Sequence, residues 1–222
     1  MFKKLLFTAI LATGLTGCAT VNHTPLSQEK SMELTEKTIV NANYPKADFS
    51  AFTAGKAALG PIGAAAMISE GNEITEQNEI PDPAVAIANK LSDNLVKARQ
   101  MKQVLNSNIA TEDNVSNLLK SFSGADYVLD VKTVNWMFNY YPSDWSHYKV
   151  TYTARLRLIE SASEKVVAET LCTTVQGDDE NPPTQEQLLE NKASLLKNYL
   201  DNGVDQCVDL LSEQVFMLKT TN

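Results

Sequence analysis

Few residues in this 222-residue chain have the types and spacing that chemistry requires. Cys18, Cys172 and Cys207 are its only thiols, and His23 and His147 its only imidazoles. Zinc sites and thiol–imidazole pairs draw on clustered Cys and His, and none of these five has a partner at ligand spacing. Ser27-Gln-Glu-Lys30 fits S-x-x-K, the pattern in which a lysine activates a serine nucleophile, and Ser92-Asp93-Asn94 fits its companion S-D-N. The third element, K-T-G, is missing: Lys132-Thr133 runs into Val134 and Lys219-Thr220 into Thr221. Ser194-Leu-Leu-Lys197 fits S-x-x-K as well, so the pattern is cheap. Asp178-Asp179-Glu180 lacks the alternating ligands and the glycine of a calcium loop and reads as a solvated loop. Phosphate-loop, nucleophile-elbow and H-E-x-x-H runs are absent. The expectation is a non-enzymatic protein with no catalytic residues, metal or other cofactor.

One cluster stands above this background. Six of the sixteen aromatic residues fall between Trp136 and Tyr148, so a binding surface is sought there first. Tyr and Trp combine a large apolar area with a polar handle, which suits contact with a protein, a glycan or a lipid head group. Pro142 and Ser143-Asp144 supply turn chemistry. Tyr140, Tyr141 and Trp145 are therefore expected to crown a hairpin tip as the candidate partner-binding residues, while Trp136 and Tyr148 are shared with the core. Strict alternation places Trp136 with Val134 and Lys132 on one strand face. The overall charge of −8 argues against a nucleic-acid partner.

The start of the chain gives an address. Lys3 and Lys4 precede an apolar run from Leu5 to Leu15, too short to span a bilayer and followed by small residues, which is the order of a secretory signal. The run ends in Leu15-Thr16-Gly17-Cys18, which resembles the bacterial lipobox. The resemblance implies that residues 1–17 are a signal peptide and that Cys18 becomes a lipidated first residue. Ala19, rather than Asp, at the next position implies sorting to the outer membrane. Loss of Lys3 and Lys4 with the signal takes the net charge from −8 to −10. In an oxidising compartment the two remaining thiols are expected to pair as a Cys172–Cys207 disulfide.

The elements that must position these residues follow from pattern. Residues 18–30 read as a polar tether, and 31–222 as one periplasmic α+β domain. Residues 51–69 are apolar but built of small residues, with Lys56 and Pro61 inside. They read as a buried, kinked helix packed on the sheet, or else as a membrane-touching or self-associating hairpin. Asp82-Pro83 opens a helix whose stripe of Ala84, Ile87, Ala88, Leu91 and Leu95 runs to about Arg99. A short strand at Lys102–Leu105 precedes a second helix capped by Thr111 and closed by Gly124. Three strands (126–136, 149–160 and 165–175) form an antiparallel meander. A Thr184/Gln187 capping box then opens a long C-terminal helix, kinked at Gly203. The sum is an α+β fold: a mostly antiparallel sheet, the meander plus one or two short strands, packed against helices.

Over residues 80–216 this order of elements is similar to the periplasmic domains of curli-secretion and penicillin-binding-protein-activator lipoproteins. The likeness is topological, and the long paired inserts of a secretion channel are missing, so pore formation is not implied. The reading is a lipid-anchored, periplasm-facing accessory protein that binds an envelope protein or glycan. The alternative is an oligomer-forming or membrane-remodelling lipoprotein that uses residues 51–69.

Overall fold

The computed structural model describes residues 22–218. The signal segment and Cys18 lie outside the described residues. In chain order the elements are α1 (Gln28–Glu33), β1 (Thr38–Asn41), β2 (Ser50–Phe52), α2 (Ala54–Ala57), α3 (Gly60–Gln77) and α4 (Pro83–Arg99). There follow β3 (Lys102–Gln103), α5 (Val115–Ser121), β4 (Tyr127–Tyr141), β5 (Asp144–Glu160), β6 (Lys165–Gln176) and α6 (Gln185–Gln214).

The long strands form as their alternation requires. β4 and β5 meet across the two residues Pro142-Ser143, and β5 and β6 across Ser161–Glu164, both pairings antiparallel. The sheet as a whole is mixed, which corrects the expectation of a mostly antiparallel one. β1 pairs parallel to the first part of β4 and to β3, and β2 pairs parallel to the last part of β4. Parallel neighbours need a long crossover, and the helices between β1 and β4 supply it. β1 and β2 therefore share one edge of β4 and leave a gap between them: pairing stops at Leu129 and resumes at Met137.

One face of the sheet carries the main core. Ile87, Leu91 and Leu95 of α4 and Leu196, Leu200, Val204 and Leu211 of α6 pack there on Leu129, Val131, Trp136, Phe138 and Tyr152. Burying one such side chain contributes about 1.5–3 kcal/mol, more than the ~1 kcal/mol of a helix cap, so packing rather than capping holds these helices. A smaller cluster on the other face joins Leu118 of α5 and its C-cap Phe122 to Val40, Val128 and Ile159.

Several local expectations change. The tether does not run to Lys30: Thr24 bridges Glu169 of β6, Leu26 is buried, and Ser27 caps α1 by accepting from the Lys30 amide. The cap of α5 is Asn114, not Thr111. α6 opens with the expected capping box, but its break lies at 190–193, where Asn191, Lys192 and Ala193 have positive φ, and not at Gly203. Gly203 instead allows close packing, since a Cβ there would lie 2.7 Å from Thr174 Oγ1. Residues 51–69 are not a buried helix kinked at Pro61. They comprise the end of β2, the single turn of α2 and the start of α3, where Pro61 sits in the first turn.

Candidate functional site

The aromatic segment is strand almost throughout, because β4 continues to Tyr141 and β5 starts at Asp144. Two bulges direct its side chains. Between Thr133 and Asn135 the pairing to β5 skips Val134, which moves every later side chain of β4 to the opposite face. Trp136 is thereby turned away from Lys132 and into the main core, where Phe49 meets it edge-on at 5.0 Å and its Nε1 donates to Ala47 O. The second irregularity sets Tyr140 opposite Tyr148 but Tyr141 opposite Asp144, so residues 145–147 are looped out of register. Trp145 is 68% exposed there.

The three candidate residues thus stand at one hairpin tip but on different surfaces. Tyr140 is half-buried and stacks on Phe52 at 5.9 Å. Tyr141 lies on the other face beneath the Lys149 ammonium, and burial, together with the Asp179 carboxylate, pushes its phenol above the ordinary range. Trp145 alone projects into solvent. Nearby, His147 Nδ1 lies 2.6 Å from Asp144 Oδ2.

A second exposed surface lies on α2 and α3. Gly71 sets α3 close against β2, since a Cβ there would lie 2.0 Å from the Phe49 carbonyl oxygen. Gly63 similarly sits against Lys56 of α2. Met67 and Ile74 of α3 are buried along with the glycines, but other large apolar residues point outward: Leu59 is 62%, Ile62 78% and Ile68 38% exposed. Ala64, Ala65 and Ala66 are exposed with them. Among the described residues no helix is long and apolar enough to cross a membrane.

The third feature has no sequence motif. A cavity of about 280 Å3 occupies the gap between β1 and β2 on the β4 edge. Ala42, Ala84, Ala88 and Val131 give it an apolar interior, and Asn89, Glu112 and Lys132 are among its polar lining. Its walls are pinned by polar groups that hydrogen-bond to one another. The Asp82 carboxylate caps α4 through the Ala84 amide and also accepts from the Ala47 amide and the Thr133 hydroxyl. Asn41 Nδ2 donates to Asn89 Oδ1, while the Ser92 hydroxyl donates to Asn41 Oδ1. Tyr44 donates to Asp130 at 2.6 Å, and Asp130, fully buried, also accepts from Arg157 Nε at 2.6 Å and Arg155 at 3.2 Å. Burial and the Asp130 charge push the Tyr44 phenol well above its ordinary range. At the mouth, the hydrogen bond from Lys132, aided by Arg155, holds the Asp113 carboxyl below the usual range. A void of this kind keeps its shape without a ligand and can receive one.

The remaining candidates have structural roles. Cys172 and Cys207, both buried, are joined in a disulfide with Cα atoms 5.7 Å apart, tying β6 to α6. Ser27 is a helix cap and Lys30 pairs with Glu33 and Glu160, so the S-x-x-K residues serve the fold. Asp178 accepts from the amides of Glu180 and Asn181 within the polar loop after β6. Among the described residues no cluster of His, Cys, Asp and Glu could hold a metal ion.

No family model and no curated protein matches the chain. Among solved structures it is similar to the PelC dodecamer from Paraburkholderia phytofirmans, with 13% identity and a TM-score of 0.38, covering 90% of this chain and 99% of that one. It is also similar to protein XCC0632 of family DUF330 from Xanthomonas campestris, with 10% identity, 87% and 91% coverage and a TM-score of 0.41. Lipoprotein GNA1162 from Neisseria meningitidis shares 13% identity over 77% of this chain and 99% of its own, with a TM-score of 0.29. Scores of this size carry no activity or partner from one protein to another.

Proposed function

We propose that this chain is a lipid-anchored protein on the periplasmic face of the outer membrane that binds another envelope component, protein or glycan, without transforming it. The observation that carries the reading is the closeness of Cys18 to the fold. Thr24 already pairs with β6, and six residues of extended chain span at most ~20 Å. A lipid on Cys18 would thus hold the domain against the bilayer, and several acyl chains make such anchoring stable. The Cys172–Cys207 bond suits an oxidising compartment. The preformed cavity beside β4 offers a partner a place to insert an apolar group, with Asn89 exposed among its lining. A second reading, that residues 51–69 meet a membrane or a second copy, is favoured by the outward-facing Leu59 and Ile62.

The test is Cys18→Ser in cells, followed by fractionation and by photocrosslinking from position 89. The variant is expected to leave the membrane fraction and to lose its crosslinked partner or glycan. Retention on carbonate-washed membranes would contradict the anchor, and an uncrosslinked wild-type chain would contradict binding at the cavity.

A further inference from the structure

We infer that the hairpin-tip end of the sheet rests on a bilayer of neutral phospholipid, with Trp145 and the exposed face of α2 and α3 as a protein-borne membrane contact beside the Cys18 anchor. The inference rests on the lipid-anchor reading for its orientation, and on exposed side chains for its surface.

The direction of the chain comes first. Thr24 pairs antiparallel with Glu169, so each step back toward the N-terminus moves along β6 toward Gln176. His23 follows that course, its Nδ1 lying 2.9 Å from Thr170 Oγ1. Gln176 pairs with Val150 in the half of β5 nearest the hairpin turn, whereas Lys165 pairs with Glu160 at the far end. The chain at its first described residues therefore heads toward the tip end, with Cys18 four residues beyond Asn22.

The apolar helices reach the same end by an independent route. β2 runs parallel to β4 and places Phe52 opposite Asn139, two residues short of the end of β4. α2 follows from Ala54, and α3 then turns back so that Gly71 meets Phe49. Leu59 and Ile62 thus lie where the chain reverses, at the end that also carries Trp145. An anchored chain delivers these residues to the bilayer at high effective concentration, and an exposed Trp beside aliphatic residues is the composition of an interfacial contact. Charge selects the lipid. Asp144 in the hairpin and Asp178, Asp179 and Glu180 after β6 outnumber Lys149 of β5 at this end, and Lys56 of α2 is paired with Glu70, so anionic head groups would be repelled while neutral ones are not.

The two tryptophans make the contact measurable, because Trp136 is buried and Trp145 is exposed. The full lipoprotein is reconstituted into phosphatidylcholine–phosphatidylethanolamine vesicles with brominated acyl chains, and its intact mass is recorded. Trp145 emission is expected to shift to the blue and be quenched by bromine, a signal absent from Trp145→Phe. It should fall at least tenfold in Leu59→Asp/Ile62→Asp and weaken when anionic lipid is added. These positions are exposed, so the variants keep the fold, which circular dichroism checks. Continued quenching by aqueous iodide with no effect of bromine would overturn the inference. So would a blue shift that depends on protein concentration and ignores bromine, which would mean that a second copy covers the surface. Should the mass show Cys18 unmodified, the anchor reading fails by itself. Vesicle binding by that unlipidated chain, measured by the same quenching, then decides the surface separately.

Discussion

Tyr44, Tyr127 and Tyr152 show how buried polar groups set the limits of this molecule. Burial pushes the Tyr152 phenol above its ordinary range although Thr133 hydrogen-bonds to it, and burial with the nearby Glu160 charge takes Tyr127 up to about 12. Tyr44 is raised in the same direction beside Asp130. In the unfolded chain all three phenols lose protons near pH ~10, while the folded protein keeps them. The unfolded state then binds fewer protons, so stability is fully present below about pH 10 and falls as pH rises through the folded values. Urea midpoints should accordingly decline between about pH 10 and 12, while tyrosinate absorbance lags behind that of the denatured chain. Native phenols that all titrate together at about pH 10 would contradict this burial. The Cys172–Cys207 bond closes a 35-residue separation and in the chain-entropy model is worth roughly 3–4 kcal/mol. Its pairing was readable from residue count once an exported chain was assumed. The Asp130–Arg155–Arg157 group was not, because nothing in an alternating strand says that three charged residues will share a covered patch.

At the scale of elements, the legible parts were those with local causes. Asp82-Pro83 started α4, the capping box started α6, and the two antiparallel connections followed from short turns. What could not be read depends on remote partners. β1 and β2 owe their existence to an edge of β4 more than eighty residues away in sequence, and neither short segment carries a strong pattern of its own. The bulge at Val134 was equally silent, having no Gly or Pro to mark it, yet it decides which face Trp136 joins. Its weight is testable. Inserting one alanine between Asn135 and Trp136 should abolish cooperative unfolding, because Trp136, Phe138 and Tyr140 would be driven to the wrong face. Val134→Thr, at an exposed site, should change stability by less than ~0.5 kcal/mol. Thermal melts separate the two, and an insertion variant that melts normally would show that Trp136 does not depend on this register. Residues 51–69 misled in a different way. Small apolar residues suggested burial, but the glycines made the internal contacts and left Leu59 and Ile62 outside.

At the scale of the molecule, three features share an arrangement that motif search does not reach. The N-terminal segment pairs with one outer edge of the sheet, the apolar helices sit at the other, and the cavity lies in the gap between β1 and β2. An anchor at Cys18 would give this arrangement a direction, holding the tip end toward lipid and leaving the cavity mouth for a partner. Everything in that account turns on whether Cys18 is lipidated. The most direct measurement is the intact mass and N-terminal fragment spectrum of the protein extracted from its native membrane. The account predicts a chain that begins at Cys18, carries a diacylglyceryl thioether and an acylated amine, and keeps Cys172 and Cys207 joined. A chain that begins at Met1, or an unmodified Cys18 thiol, would contradict it.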